Sequence, residues 1–422
     1  MGMTGSLACS LAVVGWLGFG AYQVEEAVWT SAAFAVQGDT LAPIQLLTPE
    51  ARPRMTLIAA GGGEEDATSP AGAQAEAEQN TSKVLDIGPT PSGSTAVGAL
   101  HAMLRRAGHS QWSTERLQGV LGHAFSFAMR EGAGKVWQES NLDWGRFFDM
   151  LPEVGYRFQR FEATQRGSDR DFSKLKANAW AAVRASIDRG IPAAAWCPMS
   201  PEQKADGVKA YEWGLLLGYD ESDETYTVRH RNISGGREAF TVRYDAIGHI
   251  DSVEWFCVLV YDGPEPVDAK GTHLTALRNA VAFANGTRFE PEDILYPADA
   301  RGFAAYGLWR EAIESGVAAP KHSQYHAGEL RAFRGHAASY LRELVDIFPD
   351  VAADLEAGAA HYDRLIETSA KLHDFCAGYR DAEVFPEDTG VEAAAMVAAA
   401  LQAERDAIAR IEAALAVLDE SP

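Results

Sequence analysis

Apolar residues Val97, Leu100 and Leu104 recur at three- and four-residue spacing. The run is entered through the Pro/Gly/Ser stretch GPTPSGS at 88–94 and stops at Gly108, which predicts a helix over 93–107. Helical patterning continues over 113–129 and 142–151, and an amphipathic helix over 171–189 is closed by Gly190. The period then changes. Segments 191–197, 212–219, 225–230, 239–244 and 253–261 are short, rich in Val, Leu, Tyr, Phe and Trp, and separated by turn residues, with ISGG at 233–236 as a hairpin turn. From Thr272 onward the pattern is helical again, broken at Pro291, Pro297, Pro320, Pro349 and Pro386, with long helices predicted over 328–347, 352–380 and 391–418. The last carries Val397, Leu401, Ile408, Ile411, Leu415 and Leu418 on one stripe, the inner face of a bundle, with Glu404, Arg405, Arg410 and Glu412 as solvated charges on its other faces. The aromatic run FAAYGLW at 303–309 is read as the seam on which that bundle packs. The pattern predicts an α+β fold: a helical layer with an antiparallel sheet, followed by a C-terminal helical bundle.

Ahead of this body, residues 6–22 read SLACSLAVVGWLGFGAY without a charge, presenting Leu11, Val13, Val14, Trp16, Leu17, Phe19 and Tyr22 for membrane or partner contact. No Lys or Arg precedes Arg52, so the positive flank of a standard signal is missing, and the small-x-small site Ala33-Phe34-Ala35 lies well beyond the apolar run. Three readings stand: an uncleaved anchor or membrane-lying helix, a cleaved signal, and an apolar arm docked on a partner protein. Residues 61–82, rich in Gly, Ala and Glu, read as a flexible acidic linker. The expected organisation is therefore an anchor or arm over 1–60, a linker over 61–82, an α+β domain over 83–265 and a helical domain over 266–422.

Composition narrows the function. A chain of 422 residues with 47% hydrophobic content supports more than one core, and a formal charge of −22 excludes a nucleic-acid binder, whose phosphate affinity comes from clustered Lys and Arg. Cys9, Cys197, Cys257 and Cys376 lie far apart, so the spacing indicates neither a zinc site nor a disulfide framework. His322 and His326 have the i,i+4 spacing of a metal pair but lack an acidic third ligand at a recognised spacing; no metal and no cofactor are expected, and the pair reads as a solvated face. The sequence holds no Walker loop, dinucleotide fingerprint, HExxH or GxSxG motif.

The candidate chemistry lies at the start of the 93–107 helix. Ser92, Ser94 and Thr95 stand where unpaired backbone N–H groups and the helix dipole favour negative charge, and one of them is also the natural N-cap. The order of features, SGST at 92–95, GHAFSF at 122–127, RGIP at 189–192 and EWGLLLGYD at 212–220, resembles the papain-like superfamily, and within it the C39-like peptidases and butirosin-type acyltransferases with a C-terminal helical extension. The resemblance implies a cysteine nucleophile at the helix start, a histidine base opening the strand that ends in Gly-Tyr-Asp, and an orienting Asp or Asn on the next strand. This chain has Ser92 and Glu212 at the first two positions and Asn232 as the third. A serine hydroxyl facing a carboxylate of ordinary pKa lacks the base that nucleophilic catalysis requires. Replacement bases are sought in His123 and His230, with His249 further off and His101 placed too deep in the helix to reach the loop.

The function expected is a non-catalytic pseudo-enzyme acting as an accessory subunit of a membrane-associated protein complex, photosynthetic, respiratory or other, with its body exported to the periplasmic side. The first alternative is a Ser92-dependent hydrolase or acyltransferase. The second is a ligand- or peptide-binding module that reuses the degenerate cleft.

Overall fold

A computed structural model describes residues 81–132, 135–138, 144–165, 173–205, 212–231, 238–248, 254–287 and 299–420. The apolar start, most of the acidic linker, Asn232 and His249 lie outside them. The elements in order are β1 (Ser82–Val84), α1 (Thr95–Arg106), α2 (Thr114–Val120), β2 (Ala128–Gly132), β3 (Lys135–Gln138), α3 (Trp144–Met150), β4 (Tyr156–Gln165), α4 (Ser173–Asp188), β5 (Ala193–Trp196), α5 (Pro201–Ala205), β6 (Trp213–Asp220), β7 (Thr225–Arg229), β8 (Ala239–Arg243), β9 (Glu254–Pro264), α6 (Ala269–Ala284), β10 (Ala300–Arg301), α7 (Phe303–Glu314), α8 (Pro320–Leu344), α9 (Ala352–Ala377) and α10 (Glu387–Glu420).

Seven strands form one antiparallel sheet in the order β4-β9-β5-β6-β7-β8, with β1 also on β6. A second sheet of three strands runs β10-β2-β3. Strand β6 (WGLLLGYD) is apolar and buried along almost its whole length because helices cover both of its faces: α1 on one side, α4 on the other. At the margin, β7 alternates, turning Tyr226 and Val228 inward. Four tryptophans, Trp144, Trp196, Trp213 and Trp255, pack edge to face and tilted beneath α1, with ring centroids 5.3–6.2 Å apart.

Both predicted helix stops hold for the same reason. Gly108 and Gly190 take φ of 92° and 85°, a region that suits glycine, so the chain turns back over the last carbonyls. The predicted helix over 113–129 is cut short: α2 ends at Val120, because Gly122 adopts φ of 85° with Phe283 packed where a Cβ would stand, and GHAFSF becomes a turn into β2. Strand β4 had no counterpart in the sequence pattern, since Arg157, Gln159, Arg160 and Glu162 interrupt its apolar residues.

The helical stretch shares its core with the sheet. One apolar cluster runs from α1 and α2 through Trp309 and α8 to Ile408 and Ile411 of α10. Phe127 of the GHAFSF turn packs on Tyr306 and Trp309 at centroid distances of 4.8 and 6.3 Å, the seam expected of 303–309. Glu404, expected as a solvated charge, is instead 1% exposed: Arg334 of α8 donates to its Oε2 at 2.6 Å, Tyr306 donates to the same oxygen at 2.9 Å, and Arg334 Nη1 reaches Ala124 O at 2.8 Å. The pair thereby ties α10 to the GHAFSF turn. His326 is likewise buried, against Trp309, rather than on a solvated face.

Candidate functional site

The chain enters α1 as the sequence predicts. Ser94 is the N-cap, in extended backbone, its Oγ accepting from Val97 N at 3.4 Å. The preceding loop folds back along the first turn, with Thr90 N donating to Gly98 O at 3.2 Å; a Cβ on Gly98 would sit 2.4 Å from Thr90 O, so only glycine allows this approach. The fold-back also corrects the expectation for His101, whose Nδ1 lies 2.8 Å from Thr90 Oγ1: the loop comes to the histidine.

Ser92 stands two residues ahead of the cap and is half-buried. Its Oγ accepts from Gln118 Nε2 at 2.8 Å, and its carbonyl accepts from Arg231 Nη1 at 3.1 Å. His123 meets the far end of the same carboxamide, Nδ1 to Gln118 Oε1 at 2.8 Å. Gln118 therefore stands between the serine and the imidazole, and a carboxamide holds both without passing a proton as a base would. Burial, with the charges of His336 and Arg334, pulls the His123 pKa down to about 3. A base so weak is far from the value near ambient pH at which general-base catalysis works best.

Across from α1, Thr95 Oγ1 accepts from Trp213 N at 3.1 Å, which fixes the helix start against the head of β6. Glu212 precedes that strand and is 1% exposed; its carbonyl accepts from Cys197 N at 2.9 Å. The ring of His230 hydrogen-bonds the Glu212 backbone. Burial dominates and lowers the His230 pKa to about 4. Ser92 thus precedes the start of α1 and Glu212 the strand head that Thr95 holds, while His123 and His230 are tied to Gln118 and to the Glu212 main chain.

Two residues that the sequence reading did not single out complete the surroundings. Gln118 is the one polar side chain of α2 that is fully buried, beside Leu117 and Val120. Glu329 of α8 is buried too. Desolvation holds its carboxyl well above the usual range, the Arg231 guanidinium opposes this, and the negative charge of Glu212 adds to it. Both stand beside other polar residues, Thr114 and Glu115 next to Gln118 and His322 and His326 next to Glu329, so the sequence pattern gave no signal that they are buried.

Helix α8 closes the site from above. A Cβ placed on Gly93 would lie 3.1 Å from His336 Nε2 and 3.4 Å from Phe333 Cε1, and the Phe333 ring packs on His123 at 4.2 Å. His336 Nδ1 lies 3.7 Å from Glu115 Oε1, and hydrogen bonding to His336 holds the Glu115 pKa down at about 2 despite partial burial. Among the described residues no three His, Cys, Asp or Glu side chains converge as metal ligands, and no helix is long and apolar enough to cross a membrane. No protein-family model matches the chain, and no curated protein sequence is significantly similar to it.

Proposed function

We propose that this chain is a non-catalytic relative of the papain-like enzymes that serves as an accessory subunit of a membrane-associated assembly. The observation that carries the reading is the cover on the helix start: Phe333 and His336 of the chain's own α8 lie against Gly93, where a papain-like cleft would have to open above Ser92. The hydroxyl beneath is bound to Gln118, and burial makes the imidazoles of His123 and His230 weak bases. A fold that keeps its core while its nucleophile position is capped is most simply retained for its surfaces. The membrane part of the reading is supported by the uncharged apolar run over 6–22.

The test is a serine-directed fluorophosphonate probe on the full-length chain, followed by peptide mass spectrometry. The expected result is no adduct on Ser92, with Ser92→Ala leaving the native assembly state unchanged. Stoichiometric labelling of Ser92 would contradict the proposal and establish the hydrolase or acyltransferase alternative.

A further inference from the structure

Helices α1 and α4 end side by side. Arg106 Nε donates to Gly190 O at 2.9 Å, which sets the last turn of α1 against the glycine that closes α4. Arg189 Nη2 donates to Tyr261 O at 3.0 Å, and the Tyr261 hydroxyl lies 2.7 Å from Nε2 of His109, the residue after the Gly108 stop of α1. Arg105, Arg106 and Arg189 thus stand where two helix ends meet, and all three are exposed.

Among the described residues none of the three forms an ion pair; Arg106 and Arg189 are held by main-chain carbonyls. Elsewhere on the surface Arg116, Arg157, Arg184, Arg243, Arg278 and Arg342 each meet a carboxylate. Cations at helix C-termini answer the dipole, but that amounts to about half an elementary charge per helix end, so two ends offset about one guanidinium of the three. Asp188, the acidic residue in the last turn of α4, is balanced by Lys83, whose Nζ donates to Asp188 O at 2.9 Å. The acidic turn at 220–224 near Lys83 has cations of its own, Arg184 on Glu221 and Arg243 on Glu224. An excess of positive charge is left on this face of a chain whose net charge is −22.

We infer that the face formed by Arg105, Arg106 and Arg189 seats the body on anionic lipid headgroups. Guanidinium forks match phosphate oxygens bidentately, and an otherwise acidic body is repelled by an anionic surface in every orientation that turns this face away. Lipid is favoured over an acidic polypeptide by where the rest of the chain enters. Lys83 lies near the start of the described body and touches the residue before Arg189, so the segment that carries the uncharged run over 6–22 joins the body beside this face. Membrane attachment combines buried apolar area with attraction to anionic lipid, and the two would act here at one place. The inference rests on the membrane part of the subunit reading and names the surface that faces the bilayer.

Flotation of the full-length chain with vesicles of phosphatidylcholine alone, and of phosphatidylcholine with about a third phosphatidylglycerol, tests it. The parent chain is expected to prefer the anionic vesicles and to lose the preference at about 0.5 M salt. Replacing the three together, Arg105→Gln, Arg106→Gln and Arg189→Gln, keeps donors for the two carbonyls and should weaken binding to the anionic vesicles about fivefold per arginine, on the order of a hundredfold in all. Arg380→Gln, at an exposed arginine after α9 that also has no ion pair among the described residues, should change nothing. Equal binding of the parent chain to both vesicles, or a triple variant that keeps the preference, would overturn the inference and leave the membrane reading standing. So would a triple variant that loses co-migration with an acidic polypeptide while its lipid binding is unaltered. Binding of the parent chain to neither vesicle would overturn the membrane reading as well.

Discussion

His123, His230 and His273 are buried among apolar and aromatic neighbours, and desolvation brings their pKa values down to about 3, 4 and 4. Each is neutral in the folded chain but takes up a proton near its ordinary value of 6.5 once unfolded, so the unfolded state binds more protons as pH falls. Their contribution is intact above about pH 6.5 and is lost on acidification, at about 1.4 kcal/mol per pH unit for each histidine until the folded value is reached. Urea unfolding at pH 7, 6 and 5 is expected to show this slope, with His123→Gln flattening it by one proton. A slope unchanged in the variant would show that His123 is already protonated in the fold. The ion pair of Arg334 and Glu404, each 1% exposed, gives a second expectation: Glu404→Ala leaves a buried guanidinium uncompensated and should cost about 3–5 kcal/mol in the same assay. A loss below about 1 kcal/mol would mean that water reaches Arg334. Glu404 was illegible in the sequence because its partner stands 70 positions away on another helix. Ser92 was legible as standing just ahead of a helix start, from the GPTPSGS entry into α1, whereas Gln118, which joins Ser92 to His123, is marked only by its polarity within TERLQGV.

At the scale of elements, strong periodicity and glycine punctuation made α1, α4, α9, α10 and the central strands readable, to within a few residues at each end. Patterns of mixed character were not. Strand β4 carries the polarity of an edge, and α2 stops where Gly122 takes a backbone that its helical neighbours cannot continue. The contact of α2 with α8, which puts the cover over Ser92, is set by another glycine: a Cβ on Gly119 would fall 2.3 Å from Tyr340 Cγ. Gly119→Ala is therefore expected to overpack that contact and destabilise the chain by about 1–3 kcal/mol or more, raising the accessibility of Ser92 to fluorophosphonate. A variant as stable as the parent, with its helices unshifted, would show that α8 does not close on α2 as described.

For the whole molecule, the apolar cluster that joins α1 and the sheet tryptophans to Trp309 and α10 implies cooperation between the sheet and the helical stretch. With Trp309 replaced by Phe, unfolding followed by tryptophan emission, to which Trp144, Trp196, Trp213 and Trp255 then contribute without a reporter in α7, should coincide with unfolding followed by far-ultraviolet dichroism, which weights the helices. Two separated transitions would divide the chain into independent units. Net charge of −22 and the uncharged run over 6–22 give the intact chain opposite tendencies, a well-solvated body and an apolar start, and the subunit reading accounts for both. Its most direct test is mild detergent extraction of the native host's membranes, followed by size separation and mass spectrometry of whatever travels with this chain. The account expects co-migration with a larger assembly at fixed stoichiometry. Migration alone, as a soluble particle of about 45.5 kDa, would contradict it.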